Sequence, residues 1–508
     1  MSLPSIDKSS RSSRTGAFDF EAAPAFLIYL GRAITLVAIT LAPWFFGCVR
    51  FQEQVWLYSA MTIAAVIATI VVTIRAIKTP EAGSLRFPLL AIPMIAGIGL
   101  GAVQLLPAEQ ELTTSRVTQS AELAQWDLGE PIKSTRYSFY PHLTVLEIAR
   151  YTFATVAFFI GYTLFRTPSS QRLLWAWLLG NGLVLAAFGI IQKFSWNGKL
   201  FWNVVLSNGG DPFASFVNRN NAMAFLYITI AAGLGLLAWS IERRPVRATT
   251  GLLSALLARV AALEALQVCL LCGLVLLGAG IIASTSRSGA LCACIAGLVV
   301  VVFTSVRRRS AWPLVVAGLG LGIGTAAVLT LEVNDQLAER IARVDTERLE
   351  ERTRVRHAKD ALGVTKALPV LGSGLGTHRY AYLPFVSEFG RLWAFNADNQ
   401  YVEIAVETGL SGLAIVTLLV LLTCWLIASG RKTTIESAGT GVAAIFLLCS
   451  QLFHGLFDFG IILPATLLAT SVMIGTAVAS VSSRTGGRGA SAWSGRWALP
   501  STMLAILT

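Results

Sequence analysis

Residues 266–309 read LQVCLLCGLVLLGAGIIASTSRSGALCACIAGLVVVVFTSVRRR. Two apolar runs of about 20 residues, the length an α-helix needs to cross a hydrocarbon core, flank the polar tip STSRSG at 284–289. Arg307, Arg308 and Arg309 close the second run. The pattern predicts a helical hairpin that spans a membrane, with its tip on one side and its arginine triplet on the other. Runs of the same kind recur along the chain. They predict spans over 26–46, 54–76, 87–106, 143–165, 171–192, 221–241, 266–285, 288–306, 312–331, 402–428, 438–457 and 461–481.

The composition agrees with this reading. The 508 residues are 55% hydrophobic and 13% charged, too little polar surface for a soluble chain of this length. The apolar runs are continuous rather than alternating, which argues against a β-barrel. The expected fold is an all-α polytopic integral membrane protein of about twelve transmembrane helices. Residues 1–25 form a polar tail without the pattern of a cleavable signal, and 26–331 form a first helix bundle. A large outer loop covers 332–400, further spans cover 401–481, and a tail covers 482–508.

Lys and Arg set the orientation. Lys8, Arg11 and Arg14, then Arg75, Lys78 and Arg86, Arg166 and Arg172, Arg243, Arg244 and Arg247, the 307–309 triplet, and Arg431 and Lys432 fall on alternate connections. The other connections hold fewer, among them Arg50, Lys193, Lys199 and Arg219. Positive charge stays on the cytoplasmic side, so both termini are expected there, with the loops 107–142 and 332–400 outside. The same placement explains the net charge of +12 without nucleic acid. Cys269, Cys272, Cys292 and Cys294 lie within apolar runs and read as small packing residues.

Under this topology five polar motifs share the outer side: FVNRNN at 216–221, STSRSG, LGSGLGTHRYAY at 371–382, ADNQYVEIAVETGLSG at 397–412 and HGLFDFGIILPA at 454–465. Their convergence predicts a site. Arg287 sits between two apolar helices, where a guanidinium faces an anion or cavity or snorkels to headgroups. Arg352, Arg354 and Arg356 form either a salt-bridged helix face beside Glu347, Glu350 and Glu351 or a clamp for a diphosphate, whose oxygens suit planar bidentate donors. Asp398 and Asn399 precede a helix near Tyr401, and either can cap it. Glu407 lies in an otherwise apolar helix and needs a partner. His454 and Asp458 are four apart, on one helix face. The Gly-rich segment at 372–376 reads as an anion-binding turn or a connector. No spacing makes a metal site.

Together these motifs resemble the O-antigen ligase and polymerase-like family of bacterial envelope proteins. FVNRNN resembles that family's Asn-Arg-Asn segment, and STSRSG its Ser-Arg-Gly signature. ERTRVRHAKDAL, with ALPVLGSGLGTH after it, resembles the Arg-led helix and glycine run of the periplasmic loop. The 398–412 stretch resembles the His-Asn segment that precedes two spaced glycines, with Asp398 where the ligases carry a catalytic histidine. HGLFDFGIILPA resembles a late His–Asp–Phe–Pro segment.

The resemblance implies a GT-C-like glycosyltransferase architecture in the bacterial inner membrane with its active site facing the periplasm. It implies an undecaprenyl-diphosphate-linked glycan donor and a glycan, lipid A core or protein acceptor. It implies membrane lipid around the site, no nucleic acid, no cofactor and no metal. Arg287 and Arg354 match the family's arginines and would stabilise the departing diphosphate, while Asp398 or His378 would take the acceptor's proton. Asn218, Arg219, Asn220, Arg352, Asn399, Tyr401, Glu407, His454 and Asp458 would bind substrate, and the aromatic 380–393 stretch would stack on sugars or close as a lid. A polysaccharide or lipid-linked-glycan transporter is the competing reading. It would show an internal repeat and mid-membrane polar groups, whereas here the polar groups sit at helix ends.

The shared side is open to test. In a cysteine-free background, Arg287→Cys and Asp398→Cys should both react with a membrane-impermeant maleimide applied from outside, and Arg308→Cys should not.

Overall fold

The computed structural model describes residues 25–78, 87–112, 132–206, 210–243, 261–308, 354–387, 395–429 and 435–482. The expected span 312–331, Arg352 and both tails lie outside these residues.

Eleven of the twelve expected spans are helices. In chain order they are α1 (Ala25–Trp44), α2 (Phe51–Lys78), α3 (Ala91–Gln104), α4 (Pro141–Leu164), α5 (Pro168–Phe194), α6 (Arg219–Arg243), α7 (Ala265–Ala283) and α8 (Arg287–Arg308). After the large loop come α11 (Gln400–Ser429), α12 (Ile435–His454) and α13 (Pro464–Ser482). Among the described residues nine helices are long and apolar enough to span a membrane; Ala91–Gln104 and Ala438–His454 are shorter. The large loop contributes two more helices, α9 (354–367) and the single turn α10 (His378–Ala381).

Helix ends follow local chemistry. At α5, Thr167 Oγ1 accepts the Ser170 N–H at 3.3 Å and Pro168 begins the helix, where its missing donor costs nothing. Helix α6 is the axis of the bundle. Its residues from Asn220 to Gly233 are all buried, as expected for a helix apolar on every face. It packs against α5, α7, α12 and α13. Helices α4 and α13 cross so closely that a Cβ on Gly161 would lie 2.2 Å from the Val472 carbonyl oxygen. Without a hydrophobic drive between helices in lipid, small residues let backbones approach for dispersion contact.

The outer loops carry structure that hydropathy did not predict. Strands β1 (Pro107–Leu112) and β2 (Ile132–Arg136) form an antiparallel pair. Leu112 at the end of β1 joins a second, small core with Ala361, Val364, Ala381, Tyr382, Val386 and Val406. The loop elements therefore have their own apolar centre, stacked on the end of the bundle.

Gln104, at the end of α3 and fully buried, ties this layer down. Its Nε2 donates to the Leu371 carbonyl at 2.6 Å and the Glu407 carbonyl at 2.8 Å, and its Oε1 accepts the Leu375 N–H at 3.0 Å. Gln104→Leu keeps the volume and removes three hydrogen bonds, orphaning the Leu371 carbonyl and the Leu375 N–H while the Glu407 carbonyl keeps Gly374; each orphaned group costs about 1–3 kcal/mol when buried. A fall in melting temperature in detergent, with faster proteolysis within 368–387, is the expected outcome.

Candidate active site at one end of the bundle

The site is built from caps and corners. Asn218 Oδ1 accepts the Asn220 N–H at 2.8 Å and opens α6. Ser286 caps α8, its Oγ accepting the Gly289 N–H at 3.0 Å and donating to Asn220 Oδ1 at 2.7 Å. This one hydroxyl links FVNRNN to STSRSG. Thr285 beside it has φ +56°, an uncommon conformation for a β-branched residue. It accepts from Arg219 Nη1 at 2.9 Å, and Arg219 also pairs with Asp211. Arg287 is the exposed first residue of α8.

The corner after α12 joins the same face. Asp458 is 2% exposed and hydrogen-bonds the Asn220 side chain. The Tyr227 hydroxyl donates to the Gly289 carbonyl at 2.8 Å and lies 3.4 Å from His454 Nδ1. His454 and Asp458 share a helical end, but their side chains serve different partners. Burial first, then the charge of Asp398, pushes the Asp458 carboxyl up to about 7, against the opposing pull of Arg354 and of hydrogen bonds from Phe459 and Asn220.

The 397–401 segment lies on this corner. Asn399 Nδ2 donates to the Leu456 carbonyl at 3.1 Å, the Gln400 N–H donates to the Gly455 carbonyl at 2.7 Å, and the Tyr401 hydroxyl donates to the Leu452 carbonyl at 2.7 Å. The cap of α11 is Asn399, whose Oδ1 accepts the N–H groups of Tyr401 and Val402 at 3.0 and 3.1 Å. Asp398 is thus spared from capping. It stands at φ +49°, a conformation Asp tolerates, and presents a half-exposed carboxylate 3.3 Å from Arg354 Nε.

The large loop docks through its backbone. Helix α11 breaks at Gly409, φ +61°, and the broken turn is filled by the loop. The Leu410 N–H donates to the Pro369 carbonyl at 2.8 Å, and the N–H groups of Ser373 and Gly374 donate to the carbonyls of Val406 and Glu407 at 2.9 and 3.0 Å. A Cβ at Gly409 would lie 2.6 Å from the carbonyl oxygens of Pro369 and Val370. The glycine run is therefore neither an anion-binding turn nor a loose connector; its donors go to α11, to Gln104 and to the loop's own Leu368 carbonyl.

Glu407 serves the same dock. It is buried, and its Oε1 accepts the His378 N–H at 3.2 Å, so it faces the loop backbone rather than an open surface. The aromatic segment differs from the sugar platform or lid expected of it. Tyr382 is 4% exposed in the small outer core, and Phe385 packs against that core. Tyr380 lies 5.5 Å from the Tyr140 ring, and 388–394 lie outside the described residues.

Three groups escaped the sequence reading. Glu403 Oε2 accepts the Ala397 N–H at 3.0 Å and fixes the turn before Asp398. Glu147 and Arg150 pair on α4 at 2.8 Å, and their charges act on Glu403. His357 on α9 meets His378, Nε2 to Nε2, at 3.2 Å. Of these only Glu403 carried a local signal, its four-residue spacing from Glu407.

An apolar helix bundle with a cluster of capping and charged side chains at one end defines a polytopic membrane protein. Residues 272–417 match the family model described as O-antigen ligase. The match supports a membrane enzyme in polysaccharide assembly, of the ligase and polymerase glycosyltransferase type in general. No curated protein matches the chain. The matched segment holds STSRSG, Arg354, the glycine run and Asp398. FVNRNN and the His454–Asp458 corner lie outside it and reach the site through Asn220, Ser286 and Asn399.

Asp458 gives the fold a pH dependence. Its folded-state value near 7 exceeds the ordinary 3.8, so between these limits the folded protein holds more proton than the unfolded chain. Stability falls as pH rises through that window. The melting temperature should drop from pH 4.5 to pH 7.5, and Asp458→Asn should flatten the slope.

Proposed function

We propose that this chain transfers a glycan from an undecaprenyl-diphosphate-linked donor to an acceptor hydroxyl at the outer face of the bacterial cytoplasmic membrane, with both termini cytoplasmic. The observation that carries the reading is the Arg354–Asp398 pair at 3.3 Å, a cation and a carboxylate side by side at the mouth of an apolar bundle. The Lys and Arg distribution along the sequence supports the orientation.

The acceptor oxygen attacks the anomeric carbon of the donor sugar. The bond from that carbon to the diphosphate oxygen breaks, and the electron pair leaves with the lipid diphosphate. Arg354 and Arg287 neutralise charge on the leaving group as it grows; such donors act most strongly where charge appears in the transition state. Asp398 stands beside Arg354 at the reacting face. Asn218, Arg219 and Asn220, with Thr285 and Ser286, form the adjoining wall for the bound glycan. Asn399, Tyr401, His454 and Asp458 hold the corner on which Asp398 stands, and Glu407 holds the loop that carries His378. These are positioning roles. The lipid tail lies along the apolar helices below, so the donor enters without leaving the membrane.

The variants Arg354→Ala and Arg287→Ala should each lower transfer by about 100-fold or more, the scale of losing a group aimed at developing charge, with membrane insertion intact. Full transfer in both would remove the arginine contribution. Glycan profiles of a deletion strain identify the acceptor. Single repeats still attached mark a polymerase, and loss of all attachment marks a ligase.

A further inference from the structure

We propose that the base in this site is an imidazole pair, with His357 taking the acceptor's proton and His378 holding His357 in place. The inference rests on the transferase reading above and assigns the proton within it.

The geometry begins with the 3.2 Å contact between the two Nε2 atoms. Two ring nitrogens at that distance hold one proton between them, because two protons would collide and none would leave two lone pairs opposed. Burial lowers both imidazoles below the usual histidine range, so the pair is neutral and able to accept one further proton. His378 is 1% exposed, and its Nδ1 is buried with no hydrogen-bond partner. It is closed to substrate. His357 is only partly buried, so the open end of the pair is its Nδ1.

Helix α9 carries His357 beside the reacting groups. His357 follows Arg354 by three residues, one turn along the same face, and Arg354 reaches Asp398 at 3.3 Å. The imidazole and the arginine thus approach Asp398 together. The Tyr382 ring stands edge-on to His357 at 4.4 Å and tilted to His378 at 5.1 Å, which fixes both rings.

The surrounding charges suit a base. Asp398 and Asp360 favour the protonated form of His357, while burial outweighs them and holds it below the usual histidine range. His357 is therefore neutral at neutral pH, and its cation has two carboxylates to meet. Burial first, then His357 and Arg379, lower His378 to about 3, so His378 stays uncharged and acts as the acceptor that orients its neighbour.

In the reactive form the shared proton sits on His357 Nε2. The acceptor O–H proton passes to His357 Nδ1 as the oxygen bonds to the anomeric carbon and the diphosphate departs with its electron pair. The imidazolium keeps its Nε2–H bond to His378 and faces Asp398. The carboxylate that replaces the family's histidine then holds the cation in place, while the imidazole arrives from a different segment of the chain.

Right-side-out vesicles from the producing cells, carrying their own lipid-linked glycan, present the site to the buffer. His357→Gln retains a polar contact to His378 but accepts no proton. It should lower turnover by about 100-fold or more, as for loss of a general base, and abolish the loss of activity seen on acidification. Imidazole added to His357→Gly should restore part of the rate. Asp398→Asn should retain turnover above His357→Gln and move the acidic limb to lower pH, since the anion favouring the imidazolium is gone. A His357→Gln rate and pH profile equal to wild type, with Asp398→Asn inactive, would overturn the assignment and leave the transferase reading standing. Absence of glycan transfer by the wild-type protein would overturn both.

Discussion

The site depends on one backbone-to-backbone dock. Helix α11 is broken at Gly409, and the groups released by the break are taken by residues 369–374 of the large loop. A helix interrupted near a membrane surface exposes carbonyl and N–H groups that are costly unless paired. Here the loop supplies the partners, and Gln104 and Glu407 complete them. Because these hydrogen bonds are many and buried, the loop is registered on α11. His378 and, through α9, His357 and Arg354 are thereby fixed against Asp398.

The electrostatic design separates two kinds of carboxyl group. Glu403 and Glu407 are buried and bind backbone N–H groups of the turns before Asp398 and at His378. They spend their lone pairs on architecture. Asp398 is half exposed, relieved of capping by Asn399, paired with Arg354, and its charge favours the cation of His357. Asp458 stands between, buried yet within the fields of Asp398 and Arg354. The hydrogen bonds of Asn220, Ser286, Asn399, Glu403 and Glu407 tie the polar groups of this layer to one another and to the backbone.

The bundle was legible because hydropathy is a one-dimensional signal. Run length gave eleven described spans close to where they were expected, while the central place of α6 came from the structure. The motifs were legible as a set, and three of them hold a helix cap, Asn218, Ser286 and Asn399. Their individual roles were not. The spacing of Asp398 and Asn399 left open which one caps α11, and the glycine run left open what its donors bind. The β1–β2 hairpin went unread because short strands in a polar loop have no span-length apolar pattern.

The sequence by itself determined that the chain is an all-α membrane protein with its polar motifs at one end, because the bilayer forces apolar runs of a set length and positive charge of a set side. Only the tertiary structure decided which charges meet. Arg354 and Asp398 are 44 positions apart, and His357 and His378 are 21 apart. These distances along the chain are closed by the dock at Gly409, and hydrogen bonds between backbone atoms carry no side-chain code from which such a meeting could be read.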